Sequence, residues 1–393
     1  MTHTSIVVIT IVLAISALLL FGPTPPPKGL TLDIRIPRAD LARGLRLASS
    51  VAAKKPTLPI LADVLLRASK ELSIAATDLA VSLTAEMACV VTKPGSIALN
   101  ADDLRRFVAS ASGDEVTIKA DGAWADVRCG KAKYRIAGHQ AQDFPKIPEP
   151  AKGCEWVETD ADELCDLLSR ASYAVSQDES RQALCGVMLD YDGETLTVLS
   201  ADSPRAVLIS RKIPFPALPR RISLCVRGAT EISRLLEDAG KCRVAVDGKR
   251  MHTTVDGETI SAGLLDFECP AWERHLPKTG LASATMDRDR LLEALKRVAS
   301  LASDYHGVGM RSTPTGLSLT VKDKDGEEMS DEIECEIKGE ILIGAHPKHL
   351  IDTLTRMVGE PITMRTIGAT DPIVFVDHGD AGYTGVVMPM RMD

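Results

Sequence analysis

One strand pattern is written three times in this chain, as Leu-Ser-Ile-Ala-Ala-Thr-Asp at 72–78, Leu-Thr-Val-Leu-Ser-Ala-Asp at 196–202 and Leu-Ser-Leu-Thr-Val-Lys-Asp at 317–323. The copies lie roughly 120 residues apart, far above the period of about 20–50 residues that marks solenoids and propellers. Each repeat is therefore the size of a whole domain. A helix-period stripe precedes each string: Leu41, Leu45 and Ala48, then Leu164, Leu168 and Ala171, then Leu291, Leu295 and Val298. This i, i+4, i+7 spacing demands a buried partner on one helix face.

After each string a short apolar strand leads into a second helix. These are Ile97–Leu99 into Asp102–Ala109, Ile222–Leu224 into Thr230–Leu236, and Ile341–Ile343 into Lys348–Met357. Alternating strand runs close each unit, at Glu115–Ala120 with Trp124–Arg128, Arg243–Val246 with Met251–Val255, and Ile362–Thr366 with Ile373–Val376. The fold class is thus α+β, three repeated domains each with two helices and antiparallel sheets. The expected division is 1–30, 31–151, 152–280 and 281–393.

With 393 residues, 45% of them hydrophobic, the chain can fill three cores of ordinary size. A formal charge of −8 excludes a protein coated in basic surface, so any nucleic-acid contact is local. Nine cysteines carry no C-x-x-C pair, which fits free thiols in a reducing, cytoplasmic compartment. Residues Ser5–Gly22 form an uncharged apolar run near the lower length limit for a membrane span, followed by the proline-rich linker Pro23–Lys28. They read as anchor plus spacer, and Lys28, Arg35 and Arg38 beyond the run favour keeping the body on the cytoplasmic side.

The motifs of common enzymes are missing: no G-x-S-x-G, no G-x-x-x-x-G-K-[ST], no G-x-G-x-x-G between strand and helix, no H-E-x-x-H. His346 and His349 with Asp352 could offer metal ligands, but no further partner is visible, so neither a metal nor a cofactor is expected. The repeated Asp78, Asp202 and Asp323 each end the same strand in its own module. A turn role repeated three times fits them better than catalysis, which needs groups converging on one site.

Thr-Leu-Pro-Ile-Leu at 57–61, Ala-Thr-Asp-Leu at 76–79, Asp-Phe-Pro at 143–145 and Val-Val-Met-Pro-Met-Arg-Met at 386–392 resemble the bacterial DNA polymerase III β sliding clamp family, from Thr31 to the end. The resemblance implies a non-catalytic processivity subunit: a homodimeric ring of six domains around double-stranded DNA, helices lining the hole. It also implies peptide-motif partners, namely the polymerase III catalytic subunit, the clamp loader and repair polymerases. DNA-contact positions carry over to Lys55, Gln177 and Arg227, and Arg105, Arg106 and Arg234 join them as basic residues of the inner helices. The partner-peptide groove carries over to Leu184, Arg205, Pro270, Arg274, His275, Tyr305, His346, His349, Val387, Met388, Pro389, Met390, Arg391 and Met392. Lys133, Tyr134 and Ile136 match the edge strand of the dimer interface. Three departures stand out: Asp102 and Asp103 where basic residues are usual, Pro204 where a histidine is usual, and the additional Asp393. A membrane-held, clamp-like scaffold that recruits partners without encircling DNA is the alternative.

Overall fold

The computed structural model describes residues 31–218, 221–267, 282–300, 307–322 and 325–391. The expected span at residues 5–22 lies outside them. Among the described residues no helix is long and apolar enough to cross a membrane.

By its contacts the chain divides into two compact units. The first holds residues up to Ala76 together with Ala85–Lys146. Its strands Thr31–Pro37, Glu115–Asp121, Trp124–Cys129 and Ala132–His139 form an antiparallel meander, with Val90–Lys93 on the far side of Thr31–Pro37. Asp63–Ala68 pairs with Leu72–Thr77 on one side and Gly95–Asn100 on the other. Helix α1 (Arg38–Val51) packs on α2 (Ala101–Ser110). The stripe Leu41, Leu45, Ala48 is fully buried between them and the sheets, as its spacing requires.

At the start of α2 the Asn100 side chain accepts a hydrogen bond from the Asp103 backbone N–H at 3.0 Å. Asp102 and Asp103 stand in the first turn, where carboxylates favour the exposed N–H groups and the positive end of the helix dipole. These two aspartates, unexpected on a helix that the resemblance turns toward DNA, therefore stabilise the helix that carries Arg105 and Arg106.

The second unit holds Thr77–Thr84 and Ile147–Asp393, and within it the pattern recurs twice. Helices α3 (Ala161–Ala171) and α4 (Val226–Leu236) pack together, as do α5 (Arg288–Ala299) and α6 (Pro347–Thr355). The stripes Leu164, Leu168, Ala171 and Leu291, Leu295, Val298 are again buried. Helix α4 begins about a turn earlier than the apolar pattern from Thr230 suggests, because Gly228 and Ala229 bury a small-residue face close against Ala262.

Strand Arg205–Arg211 of the second copy pairs with Tyr383–Val387 of the third, Arg205 opposite Val387 and Ile209 opposite Tyr383. The sheet thereby runs without interruption from one copy into the next. A separate five-stranded sheet carries Glu328–Glu334 at one edge and Pro389–Met390 at the other.

The repeated aspartates close turns. Asp78 accepts from the backbone N–H groups of Ala80 at 3.0 Å and Val81 at 2.7 Å, and Asp202 accepts from that of Arg205 at 3.2 Å. The residue after each, Leu79 and Ser203, sits at φ 78° and 84°. That left-handed conformation costs an L side chain on the order of 1 kcal/mol, which the aspartate's hydrogen bonds offset. The third copy, Asp323, lies outside the described residues.

Candidate functional site

Two places in the second unit stand out, and the first gathers residues expected to carry function. The first surrounds Arg205. The hairpin turn at Asp202–Arg205 delivers the guanidinium onto the ring of Tyr173, 5.2 Å from its centroid. There Nε donates to Asp202 at 3.0 Å, Nη1 to Asp352 of α6, and Nη2 to the Tyr173 carbonyl at 3.2 Å. Arg205 is thus a fixed post between two modules, its charge already answered by two carboxylates. The Tyr173 hydroxyl donates to Thr353 Oγ1 at 3.2 Å, which ties α3's end to α6.

The C-terminal segment passes beside this post. Val387 is buried, whereas Met388 stands 41% exposed and Met390 half-buried. The Met388 backbone N–H donates to the carbonyl of Pro204 at 2.8 Å, and Pro389 and Met390 pair with Ala345 and Gly344. Proline at 204 keeps the carbonyl this contact uses, so the departure from the usual histidine leaves the backbone link intact. Leu184 ends a short 3-10 turn whose carbonyl accepts from the Ser176 N–H at 2.9 Å, and Arg391 is exposed beyond the tail strand. Unbranched methionine side chains flanking such a place can repack around different apolar ligands.

At the head of α6, His346 caps the helix by accepting from the Lys348 N–H at 3.2 Å. The His346 and His349 rings lie 4.7 Å apart. His349 Nδ1 is buried without a hydrogen-bond partner. Burial, then the nearby Arg205 and His346, hold its pKa below the ordinary histidine value. Asp352 is committed to Arg205, and among the described residues no cluster of His, Cys, Asp or Glu is arranged to hold a metal. Pro270, Arg274, His275, Tyr305 and Met392 lie outside the described residues.

The second place is an ionic junction that the sequence did not announce. Arg170 of α3 is almost completely buried, with Nη1 2.9 Å from Asp166 and 2.7 Å from Asp380. Arg211 reaches the same Asp380 at 2.7 Å and Asp166 at 3.1 Å. Arg170 Nε donates to the Arg356 carbonyl at 2.7 Å, and its guanidinium lies over the Tyr383 ring. Burial lifts the Asp380 carboxyl, but hydrogen bonds and charge from Arg211 and Arg170 outweigh it and hold the group below the usual carboxylate range.

The basic residues expected to meet DNA are exposed, Arg105 only partly, and most carry a carboxylate of their own. Arg105 pairs with Asp102 at 3.4 Å and Arg106 with Asp103; Arg234 pairs with Glu231 at 2.7 Å, and Arg227 with Asp78. Lys55 follows α1 in an exposed loop, and Gln177 is exposed after α3. Sequence reasoning passed over Arg46 on α1 and Arg290 and Lys296 on α5, which are exposed on the helix faces opposite the buried stripes. Their spacing from those stripes was the signal available.

In the first unit, Lys133, Tyr134 and Ile136 sit on the strand Ala132–His139. One side of that strand pairs with Trp124–Cys129, while the other, among the described residues, is paired only at Gly138 and His139. Lys133 is exposed and Tyr134 stacks on Phe107, but Ile136 is buried. Ile136 therefore anchors the strand from inside.

The sequence pattern of the DNA polymerase III beta subunit matches in three consecutive parts: the N-terminal domain over residues 32–148, the central domain over 158–271 and the C-terminal domain over 273–391. The chain belongs to the DNA polymerase III beta subunit family. A beta sliding clamp of Pseudomonas putida is 29% identical over 368 residues, covering 92% of this chain and all of that protein. A sliding clamp structure from Pseudomonas aeruginosa bound to griselimycin superposes with TM-score 0.85 at 26% identity, again over 92% of this chain and all of that one. The Thermotoga maritima beta subunit, at 24% identity and TM-score 0.87, shares the fold. Beta subunits of this family are non-catalytic processivity factors, which accords with the missing enzyme motifs.

Proposed function

We propose that the chain is a DNA sliding clamp, dividing at 31–151, 152–280 and 281–393 into three domains, that closes as a head-to-tail dimer around duplex DNA and tethers polymerases and repair factors. The observation that carries this reading is the three consecutive family matches, each coinciding with one helix pair and its sheets.

A ring holds DNA by topology, so its phosphate contacts can be weak. Lys55, Gln177, Arg105, Arg106, Arg227 and Arg234 serve as such contacts, joined by Arg46, Arg290 and Lys296. For Arg105 and Arg106 a phosphate must displace an exposed carboxylate one turn away, and exposed i, i+3 pairs are worth only about 0.3–0.5 kcal/mol. Exchange at that cost supports sliding over anchoring.

The half-open strand edge at Ala132–Ala137 carries exposed Lys131, Lys133 and Arg135. The edge strand Glu328–Glu334 carries Glu328, Asp331, Glu332 and Glu334, and among the described residues it pairs only with Gly316–Lys322. Like edges repel and unlike edges attract, which supports basic-to-acidic pairing between two copies.

The partner groove is built around Arg205, Leu184, His346, His349 and the tail Val387–Arg391, and the family resemblance adds Pro270, Arg274, His275, Tyr305 and Met392 to it. Griselimycin, bound in the Pseudomonas aeruginosa clamp structure, is the probe this site should accept. In primer extension with the replicative polymerase and clamp loader, the wild-type chain should lengthen products at least about ten-fold. Arg205→Ala, which leaves Asp202 and Asp352 unanswered beside the groove, should lose most of that gain, since an uncompensated half-buried charge costs about 2 kcal/mol or more. Unchanged product length with the wild-type chain would sink the reading.

The apolar run at residues 5–22 precedes the first family match and supports a membrane tether on a cytoplasmic ring. Detergent-free fractionation of the full chain should place it with membranes, and the chain from Leu30 onward in the soluble fraction. Full-length chain in the soluble fraction contradicts the tether and leaves the clamp untouched.

A further inference from the structure

Among the described residues, His349 is the one groove side chain that combines a titratable ring with a buried, unpartnered nitrogen. Its Nδ1 has no hydrogen-bond partner, and its ring lies 4.7 Å from that of His346. The charged and titratable groups facing it, among the described residues, come from two elements. Asp202 and Arg205 belong to the hairpin, and His346 and Asp352 belong to its own helix and cap. Tyr173 stands behind Arg205, stacked on the guanidinium.

A neutral imidazole tolerates this setting. A protonated one must hold an N–H at Nδ1 with no acceptor, and a cation beside Arg205, whose two carboxylates are already engaged. Relief comes in two ways, both costly to a bound ligand. The ring can turn outward, bringing charge to the surface an apolar side chain would cover. Alternatively, it can draw Asp352 away from Arg205 and loosen the post between the two modules.

We propose that His349 must be neutral for the groove to hold an apolar partner, so that acidification releases partners from the clamp. This rests on the groove reading of Arg205, His349 and the tail. The sign follows from linkage: if binding requires the neutral ring, occupancy lowers the His349 pKa further, and protons and ligand oppose one another. The effect lies below the ordinary histidine range of about 6.5 and is absent above it.

The test is griselimycin affinity for the full chain by isothermal titration at about pH 7.5 and about pH 5.0. Wild type should bind roughly five- to ten-fold more weakly at the lower pH, the fold-change a shift of nearly one pKa unit produces. His349→Asn, which cannot titrate, should bind equally at both. By NMR, the titration midpoint of the His349 ring should move down when griselimycin is added. Equal wild-type affinity at both pH values, a pH dependence that survives in His349→Asn, or an unmoved midpoint would each overturn the gate while leaving the groove intact. No griselimycin binding at either pH would overturn the groove and the gate together.

Discussion

Replacing Asp380 by alanine is expected to destabilise the second unit by about 3–5 kcal/mol, a fall in Tm of roughly 6–20 °C for a body of this size. The carboxylate answers two guanidinium groups, Arg170 and Arg211. Arg170 is almost wholly buried, and its Nη2 already lacks a partner. Without Asp380, Arg170 would keep, among the described residues, Asp166 as its counter-charge, a carboxylate it shares with Arg211, besides the neutral Arg356 carbonyl. A buried cation left short of its counter-charge is far more costly than a lost surface contact.

The exposed pair Lys212–Glu194, at 2.7 Å with both side chains about three-quarters exposed, provides the contrast. Lys212→Ala should cost less than about 1 kcal/mol. The pH dependence has a definite sign. Asp380's folded pKa lies below its unfolded value of about 3.9, so its stabilisation is present above that value and is lost as pH falls through the folded pKa. The gap between wild type and Asp380→Ala should therefore narrow as pH falls below about 4. Urea unfolding across pH measures it, and a cost near that of Lys212→Ala at neutral pH would show that the junction is held by its sheet alone.

The division of the fold into repeats was legible in the sequence because helix and strand periodicity are local. Each apolar stripe that was read from spacing, such as Leu291, Leu295 and Val298, is buried. The turn role of Asp78 and Asp202 was also local, since each aspartate bonds backbone groups within three residues. The junction was not legible: Arg170 and Asp380 are 210 residues apart, and nothing in either neighbourhood points to the other. The same holds for Arg205 and Asp352, separated by 147 residues, so the resemblance that marks Arg205 as a candidate groove residue does not show that its charge is already matched. Asp102 and Asp103 looked out of place beside DNA until the helix start they stabilise was seen. The resemblance places Ile136 on the interface strand, and alternation along that strand buries its side chain within the single chain.

The second large effect concerns DNA itself. Because several basic residues here carry their own carboxylates, open-armed binding to DNA should be weak and should fade steeply with salt. A closed ring behaves otherwise, since topology does not depend on ionic strength. The decisive measurement is retention of the chain, loaded by a clamp loader, on a nicked circular plasmid and on the same plasmid cut once, each passed through gel filtration at about 0.5 M salt. The account predicts at least about ten-fold more protein retained on the circle, with rapid loss when the circle is cut. Equal retention on circular and linear DNA would contradict it.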